Sequence, residues 1–546
     1  MKIVHHLSVI LREKIYVILL IFLFYPIASN FSSPVFPNVM MSNGRTPYIS
    51  GSTGFSLEDH YWVSMLEPAT EVREAAYYLD ASFQSYYNRN GAWLEQQISP
   101  SISTESNLRM DYFSQNFSFF GSLSVINDDK YSSSHSEWNG LYSLMRSGGI
   151  SFFAGPVSAF AARSRHFDAV TTPYALFANA VGPSVLHTDL SYNDPPFFYR
   201  TRWILLNRDS GEGYPDRGAN LHFYGITLPW GMFFGFQGAA VYTGDFIDPE
   251  FFFNPVPMFF SQYSLNSQGK PWEQTGNDNY IMGYFWEWDT RETDVRLMDY
   301  PFYAQTQILI DDFATLPFLR ISDEYMNPNK IAWNLGGRLF FRWGSAGFYH
   351  GGATKYTFQP TGNANTNLHY GYNYYPAVTY GKKDGTIMPI LSQDNAIGFQ
   401  HGENCIAFMT DVSAEIGMDQ NEFSLWSGRL YGSLEYTVTA DQSPANPWHQ
   451  YTWFPREGNE NPTRLLDSEV LEHRLSMRLS FEKTIGDFTL LTGVFFGHVW
   501  NQLGITPVPE ELAVENVNDI PYFSPQPGQY AFFFTPLFSL SYTFSY

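Results

Sequence analysis

Apolar and polar residues alternate with a period of two along much of this chain. The last residues show it most cleanly: Phe538, Leu540, Tyr542, Phe544 and Tyr546 alternate with Ser539, Ser541, Thr543 and Ser545. Successive side chains of a strand point to opposite faces, so this segment presents one apolar face and one of small hydroxyls. Leu475, Met477, Leu479 and Phe481 alternate in the same way with Ser476, Arg478 and Ser480. Thr484-Ile485-Gly486-Asp487 then supplies turn chemistry, and Phe488, Leu490, Val494 and Phe496 start a return strand. That order predicts a tight hairpin. Leu430, Gly432, Leu434, Tyr436 and Val438 alternate with Arg429, Tyr431, Ser433, Glu435 and Thr437. Trp333, Leu335, Leu339, Phe341 and Trp343 alternate with Asn334, Arg338 and Arg342.

A soluble sandwich would more often carry charge on the polar face, and arginines on an inward face call for a wet interior. The pattern therefore predicts an all-β transmembrane antiparallel barrel, its apolar face toward lipid and its polar face toward the lumen. Trp333 and Trp343 fall near opposite ends of one strand, where aromatic girdles lie. Long polar stretches, Phe358 to Gly371 and Gln442 to Pro462, alternate with short turns, which is the loop asymmetry of such barrels. At roughly 9–11 residues per strand the chain has room for about 18 strands, within a range of about 16 to 20. One segment departs from period two. After Pro68, Val72, Ala75, Ala76 and Leu79 follow helical spacing, which predicts a short helix ahead of the barrel; a plain lead-in to the first strand competes closely with it.

The N-terminus adds a compartment. Lys2, Arg12 and Lys14 precede an apolar run from Ile15 to Tyr25, and Ala28-Ser29 offers a cleavage site, so residues 1–29 read as a signal peptide. That run is short of the roughly 20 residues a spanning helix needs. The expected organisation is a signal peptide at 1–29, an N-terminal segment at 30–104 holding the short helix, with room for the first strands, and a barrel at 105–546. Composition fits: aromatics make up 18% and charged residues only 15% of the chain, while mean hydropathy is −0.23. The net charge of −22 excludes a nucleic-acid partner, and the single Cys405 excludes a disulfide framework.

Catalytic spacing is scarce. The chain has no G-x-S-x-G elbow, no H-E-x-x-H and no phosphate-binding glycine loop ending in Lys-Ser/Thr. Gly344-Ser345-Ala346-Gly347 near His350 resembles a nucleophile only superficially and reads as a hairpin turn. Asp128-Asp129 and Asp311-Asp312 are more simply solvated strand ends than calcium ligands. No enzyme, metal or cofactor is expected.

The middle of the chain is its most distinctive part. Two strands flank Leu228-Pro229-Trp230-Gly231, then come Phe251-Phe252-Phe253-Asn254-Pro255-Val256-Pro257 and Asn279-Tyr280-Ile281-Met282-Gly283. Tyr303-Ala304-Gln305 and Asp311-Asp312-Phe313 close the set. This order, from about Gly218 to Phe313, resembles the capsule-assembly (Wzi-like) family of outer-membrane barrels. In that family a glycine-rich strand, Asn-Pro, Asn-x-x-x-Gly and Tyr-x-Gln-x-x-x-Asp-Asp/Glu-Phe follow one another. Asn254, Pro255, Asn279, Gly283, Tyr303, Gln305, Asp311, Asp312 and Phe313 follow that order, with five residues rather than three between Gln305 and Asp311, and are expected to be structural. The N-terminal third does not match. The resemblance implies a barrel of 18 strands that binds surface polysaccharide and helps to attach capsule to the cell.

Partners follow from these expectations: the lipid bilayer of the outer membrane, surface polysaccharide, and the barrel-assembly machinery. The row Phe538, Leu540, Tyr542, Phe544 and Tyr546 resembles the terminal recognition signal of outer-membrane barrels. Glycan contact is expected from Trp448, His449, Tyr451 and Trp453, flanked by Pro447 and Pro455. Aromatic rings stack on the C–H faces of sugars, and the prolines stiffen the loop that carries them. Two rivals stand beside this reading: a porin-like channel for small solutes, and an acyl hydrolase with a Ser/His pair at the barrel wall.

Overall fold

Strand pairing carries the chain around a closed ring. The computed structural model describes the strands between Ala75 and Ser545 and parts of their connections, chiefly 168–178, 244–258, 354–358, 397–404 and 463–471. The strands are β1 (Ala75–Ser85), β2 (Ile102–Phe113), β3 (Phe117–Asn127), β4 (Tyr142–Ala154), β5 (Val157–Ser164) and β6 (Val185–Asp194). They continue as β7 (Phe197–Asn207), β8 (Arg217–Leu228), β9 (Met232–Thr243), β10 (Asp278–Asp289), β11 (Phe302–Asp312) and β12 (Lys330–Phe341). The last are β13 (Gly344–Ala353), β14 (Cys405–Ile416), β15 (Gly428–Thr439), β16 (Glu472–Ile485), β17 (Phe488–Trp500) and β18 (Tyr530–Ser545). Each pairs antiparallel with its neighbours in chain order. The last strand pairs with both β17 and β1, with Ala76 opposite Ser545 and Phe83 opposite Phe538.

The sheet holds nineteen strands, of which the two-residue stretch Tyr87–Asn88 runs on from β1 beside the same partner. Eighteen staves therefore form the ring, the number the sequence led us to expect. Ring closure leaves no free edge, as a sheet in lipid requires. Connections alternate in length. Residues 155–156, 195–196, 342–343 and 486–487 turn tightly at one end, while 165–184, 244–277, 354–404 and 440–471 lie at the other.

The period-two pattern selects the two faces. On β12, Asn334 and Arg338 are buried inside while Leu335 is exposed outside. On β16, Ser476, Arg478 and Ser480 point inward, and Leu475 and Leu479 stand on the outer surface. Phe348, Phe408, Leu430 and Leu434 extend the same outward apolar belt. The inward arginines are not bathed as the sequence had implied. Arg338 is buried, donating through Nη2 to Asp411 and through Nη1 to Ser345, so a partner on β14 balances its charge. Arg342 is not on the inner face; it lies exposed in the turn after β12.

One N-terminal expectation changes. Ala75, Ala76 and Leu79, spaced as if on one helical face, lie on β1, because their backbone groups pair with β18 and β2. The ring begins at Ala75, within the segment 30–104 that left room for the first strands. The signal peptide and Val72 fall outside the described residues.

Candidate functional site in the barrel lumen

The segment 168–178, between β5 and β6, folds into the lumen. Val170, Tyr174, Leu176, Phe177 and Ala178 are buried, and they join the apolar inner faces of β8, β9 and β10 in one core cluster. No regular element holds this backbone, so its polar groups need other partners. Asp168 supplies them from within: Oδ1 accepts from the Ala169 N–H at 2.7 Å, and Oδ2 accepts from Phe177 N–H at 2.8 Å and Ala178 N–H at 3.3 Å. The carboxylate thereby closes the segment on itself.

Neutral amides of the wall hold the rest. Gln237 on β9 donates to Asp168 Oδ1 and accepts from Gln307 Nε2 at 2.8 Å. Gln307 on β11 accepts from the Leu176 N–H at 3.3 Å and from Asn334 Nδ2 at 2.7 Å. Asn334 on β12 also donates to the Tyr174 carbonyl at 2.7 Å. This chain of three amides shares the inward parity of its strands. An amide carries both donor and acceptor, so it can satisfy a loop backbone in either direction without burying charge.

The far side of the lumen is reached by Tyr174. Its hydroxyl donates to Glu435 Oε1 on β15 at 2.9 Å, and His401 Nε2 lies 2.9 Å from the same oxygen. Burial, and next the Glu435 charge, push the Tyr174 phenol well above its ordinary range, so it serves as a proton-bearing donor. Phe399 packs edge-on to the Tyr174 ring at 5.8 Å, and Tyr372 donates to the Phe177 carbonyl at 2.6 Å. A second inward segment, 397–404, therefore backs the first. Together they form an inward plug that reaches from β9 across to β15.

Several residues of the central motif lie at this plug. Tyr303 accepts from the Thr171 N–H at 2.8 Å and donates to Glu287 at 3.2 Å. Gly283 has no side chain where Phe177 of the plug packs against β10. A Cβ there would stand 2.0 Å from the Ile308 carbonyl oxygen and 3.0 Å from the Phe177 ring. Gln305 is buried beside Tyr303, while Asn279 is buried at the other end of β10, near Asp278. Asp311 pairs with Lys330 at 3.8 Å, both buried, and Asp312 ends β11 opposite Lys330. Asn254 and Pro255 lie in no strand; they follow the five-residue helix α1 (Pro249–Phe253), which packs elsewhere on the barrel. Phe313 lies outside the described residues, as do Trp448, His449, Tyr451, Trp453, Tyr546 and Asp128-Asp129. Phe538, Leu540, Tyr542 and Phe544 lie on β18, where Leu540 is exposed outward.

Sequence reasoning missed one polar arrangement. Ser164 Oγ lies 2.8 Å from His187 Nε2, and His187 Nδ1 lies 3.1 Å from Asp189 Oδ1. The order is that of a nucleophile, a base and an acid. Arg202, however, forks onto Asp189 through Nε at 2.8 Å and Nη2 at 2.6 Å, and all four groups are buried. The arrangement ties β5, β6 and β7 together by charge-assisted bonds. The other serine considered, Ser345, faces inward, whereas His350 faces outward, accepts from Trp333 Nε1 at 3.0 Å and stacks on Phe408. They do not form a pair.

No protein-family model matches this sequence, and no curated protein matches it either. Solved structures resemble the fold at low identity. Wzi of Escherichia coli, an outer-membrane protein involved in group 1 capsule assembly and described as a carbohydrate-binding β-barrel, is 9% identical. The match covers 86% of this chain and 84% of that one, with a TM-score of 0.45. OpdQ of Pseudomonas aeruginosa is 9% identical over 87% of this chain and 99% of that one, with a TM-score of 0.43. The outer-membrane protein opdK of the same species is 8% identical over 86% and 99%, with a TM-score of 0.39. The closed ring, its outward apolar belt and its alternating loop lengths make this chain an outer-membrane β-barrel.

Proposed function

We propose that this barrel holds surface polysaccharide and assists capsule or exopolysaccharide assembly, rather than passing solutes. The supporting observation is the plug. A channel needs a continuous aqueous path, and here segment 168–178 is bonded to β9, β11, β12 and β15. Those contacts are amide and phenol donors meeting buried carboxylate and amide acceptors, with apolar packing around them, a network that holds the segment more firmly than a loose solvated loop. The barrel then acts as a rigid scaffold that presents its long loops outside the cell, where function usually sits. The central motif, with its resemblance to capsule-assembly barrels, points the same way.

The glycan contacts are assigned to Trp448, His449, Tyr451 and Trp453, between prolines that limit the entropy lost on binding. A net charge of −22 favours a neutral glycan, or an acidic one bridged by cations. The rival is a small-solute channel, and one measurement separates the two. Purified barrel reconstituted in planar bilayers should give no steady conductance while retaining capsular polysaccharide in a pull-down. Large, stable conductance steps without glycan retention would replace this reading with the channel.

A further inference from the structure

The inner cluster has a counterpart on the other side of the same strands. Ala240, Tyr242, Phe251, Met258 and Tyr280 form a separate buried group. Ala240 and Tyr242 share the parity of Phe234 on β9, and Tyr280 that of Tyr284 on β10; Phe234 and Tyr284 are exposed on the outer wall. The segment that buries them, 245–258 with α1 at its centre, therefore lies against the outside of the barrel. It descends from the long-loop end across β7, β8, β9 and β10 as a strap.

The wall is shaped to receive it. Outward side chains that lipid would leave unsatisfied instead donate to the strap's carbonyls. Trp203 Nε1 reaches the Phe246 oxygen at 2.8 Å, Thr201 Oγ1 the Phe252 oxygen at 3.0 Å, and Tyr224 the Pro255 oxygen at 3.0 Å. His222 Nε2 lies 2.8 Å from the Phe251 oxygen. Tyr242 stacks on Phe251 at 5.8 Å with a 10° interplanar angle. A Cβ at Gly218 would stand 2.3 Å from the Phe246 oxygen, so glycine sets how closely the strap approaches.

The strap's outer surface is divided. Its first part carries Asp245, the helix-capping Asp248 and Glu250 beside the exposed Ile247; its second turns out Phe253, 69% exposed, and Val256, and just beyond it lies Phe260, 60% exposed. Below it on the same wall run the exposed Phe197, Ile226, Leu228, Phe234 and Tyr284, so the apolar surface continues into the belt of the barrel. We propose that the strap is a lipid-facing element: its acids stand at the headgroup level, and Phe253, Val256 and Phe260 meet the acyl chains of the outer leaflet. The satisfied carbonyls are what make this placement tolerable, because a backbone oxygen left unpaired in hydrocarbon costs several kcal/mol.

Spin labels test the placement. In a Cys405→Ala background, the full chain would carry a nitroxide at a cysteine replacing Phe253, Phe260, Phe234 or the loop residue Asp209, reconstituted in phospholipid nanodiscs. Relaxation by oxygen, which partitions into acyl chains, is compared with relaxation by a water-soluble nickel chelate. Labels at 253 and 260 should follow the wall label at 234, with oxygen dominant, and the label at 209 should show the reverse. Nickel-dominated relaxation at 253 and 260, with 234 still lipid-like, would place the strap in water and overturn the proposal. Exclusion of both reagents would overturn it too, because protein would then cover the strap. So would dipolar broadening at 253 that disappears on dilution with unlabelled protein, the mark of a second copy.

Discussion

Tyr174 and Glu435 meet across the lumen, a phenol from the segment after β5 donating to a carboxylate on β15 at 2.9 Å. They are 261 positions apart in sequence. The contact is the far anchor of a plug whose near anchor is Asp168. Because Asp168 both closes the segment and takes the wall's Gln237, the two anchors are unequal.

Asp168→Ala should open the lumen more than Tyr174→Phe does. The alanine variant removes the acceptor of three backbone N–H groups and one side-chain amide, and each buried donor left unpaired costs about 1–3 kcal/mol. The phenylalanine variant removes one hydrogen bond to a charged acceptor, a loss of about 1.5–3 kcal/mol, and keeps the ring against Phe399. Single-channel recording should show flickering conductance for Asp168→Ala and near-silence for Tyr174→Phe. An Asp168→Ala barrel that resists heat and stays as silent as the parent would mean the segment is held by something else.

Arg338 and Asp411 make a different kind of contact, a charge pair buried between β12 and β14. Removing one partner strands the other, which costs about 3–5 kcal/mol, whereas replacing both by apolar residues is often neutral. Arg338→Met should lower the temperature at which the folded barrel unfolds in an electrophoretic heat-shift assay. Arg338→Met with Asp411→Leu should recover most of the loss. If the double variant is no more stable than the single one, lumen side chains need the charges for another purpose.

Ser164, His187 and Asp189 stand in the order of a hydrolytic triad, yet the serine is buried and Arg202 holds the carboxylate. A fluorophosphonate probe should leave Ser164 unlabelled under conditions that label a control serine hydrolase. Arg202→Met should weaken heat resistance by freeing Asp189. Labelling that Ser164→Ala abolishes would make this barrel an enzyme.

Much of the wall was legible because a membrane strand has only two faces. Leu430 and Leu434 outward, with Tyr431 and Thr437 inward, follow directly from period two, and the hairpin at 484–487 was written in its turn residues. The plug was not legible. Asp168, Leu176 and Tyr174 carry no period, and their partners Gln237, Gln307 and Asn334 are scattered over β9, β11 and β12, brought together only by the closed sheet. The helical spacing of Ala75, Ala76 and Leu79 misled for a related reason: three positions are too few to fix a period, and the waiting edges of β18 and β2 decided the outcome. Phe251 to Pro257 stood out in the sequence, but nothing in it distinguished a rim loop from a strap on the outer wall.

The last prediction concerns the loop assigned to glycan. Trp448 and Trp453 lie between Pro447 and Pro455 in the long connection from β15 to β16. A sugar-stacking role requires rings that face solution, so their loss should cost binding and spare the fold. Replacing both by Ala should reduce polysaccharide retained on the cell surface several-fold, with heat resistance and the silent lumen unchanged. Each stacking ring contributes on the order of 0.5–1.5 kcal/mol beyond buried area, so the pair accounts for a loss of that size. A well-folded double variant with full retention would remove this loop from the site and shift the search to the other long connections at the same end of the barrel.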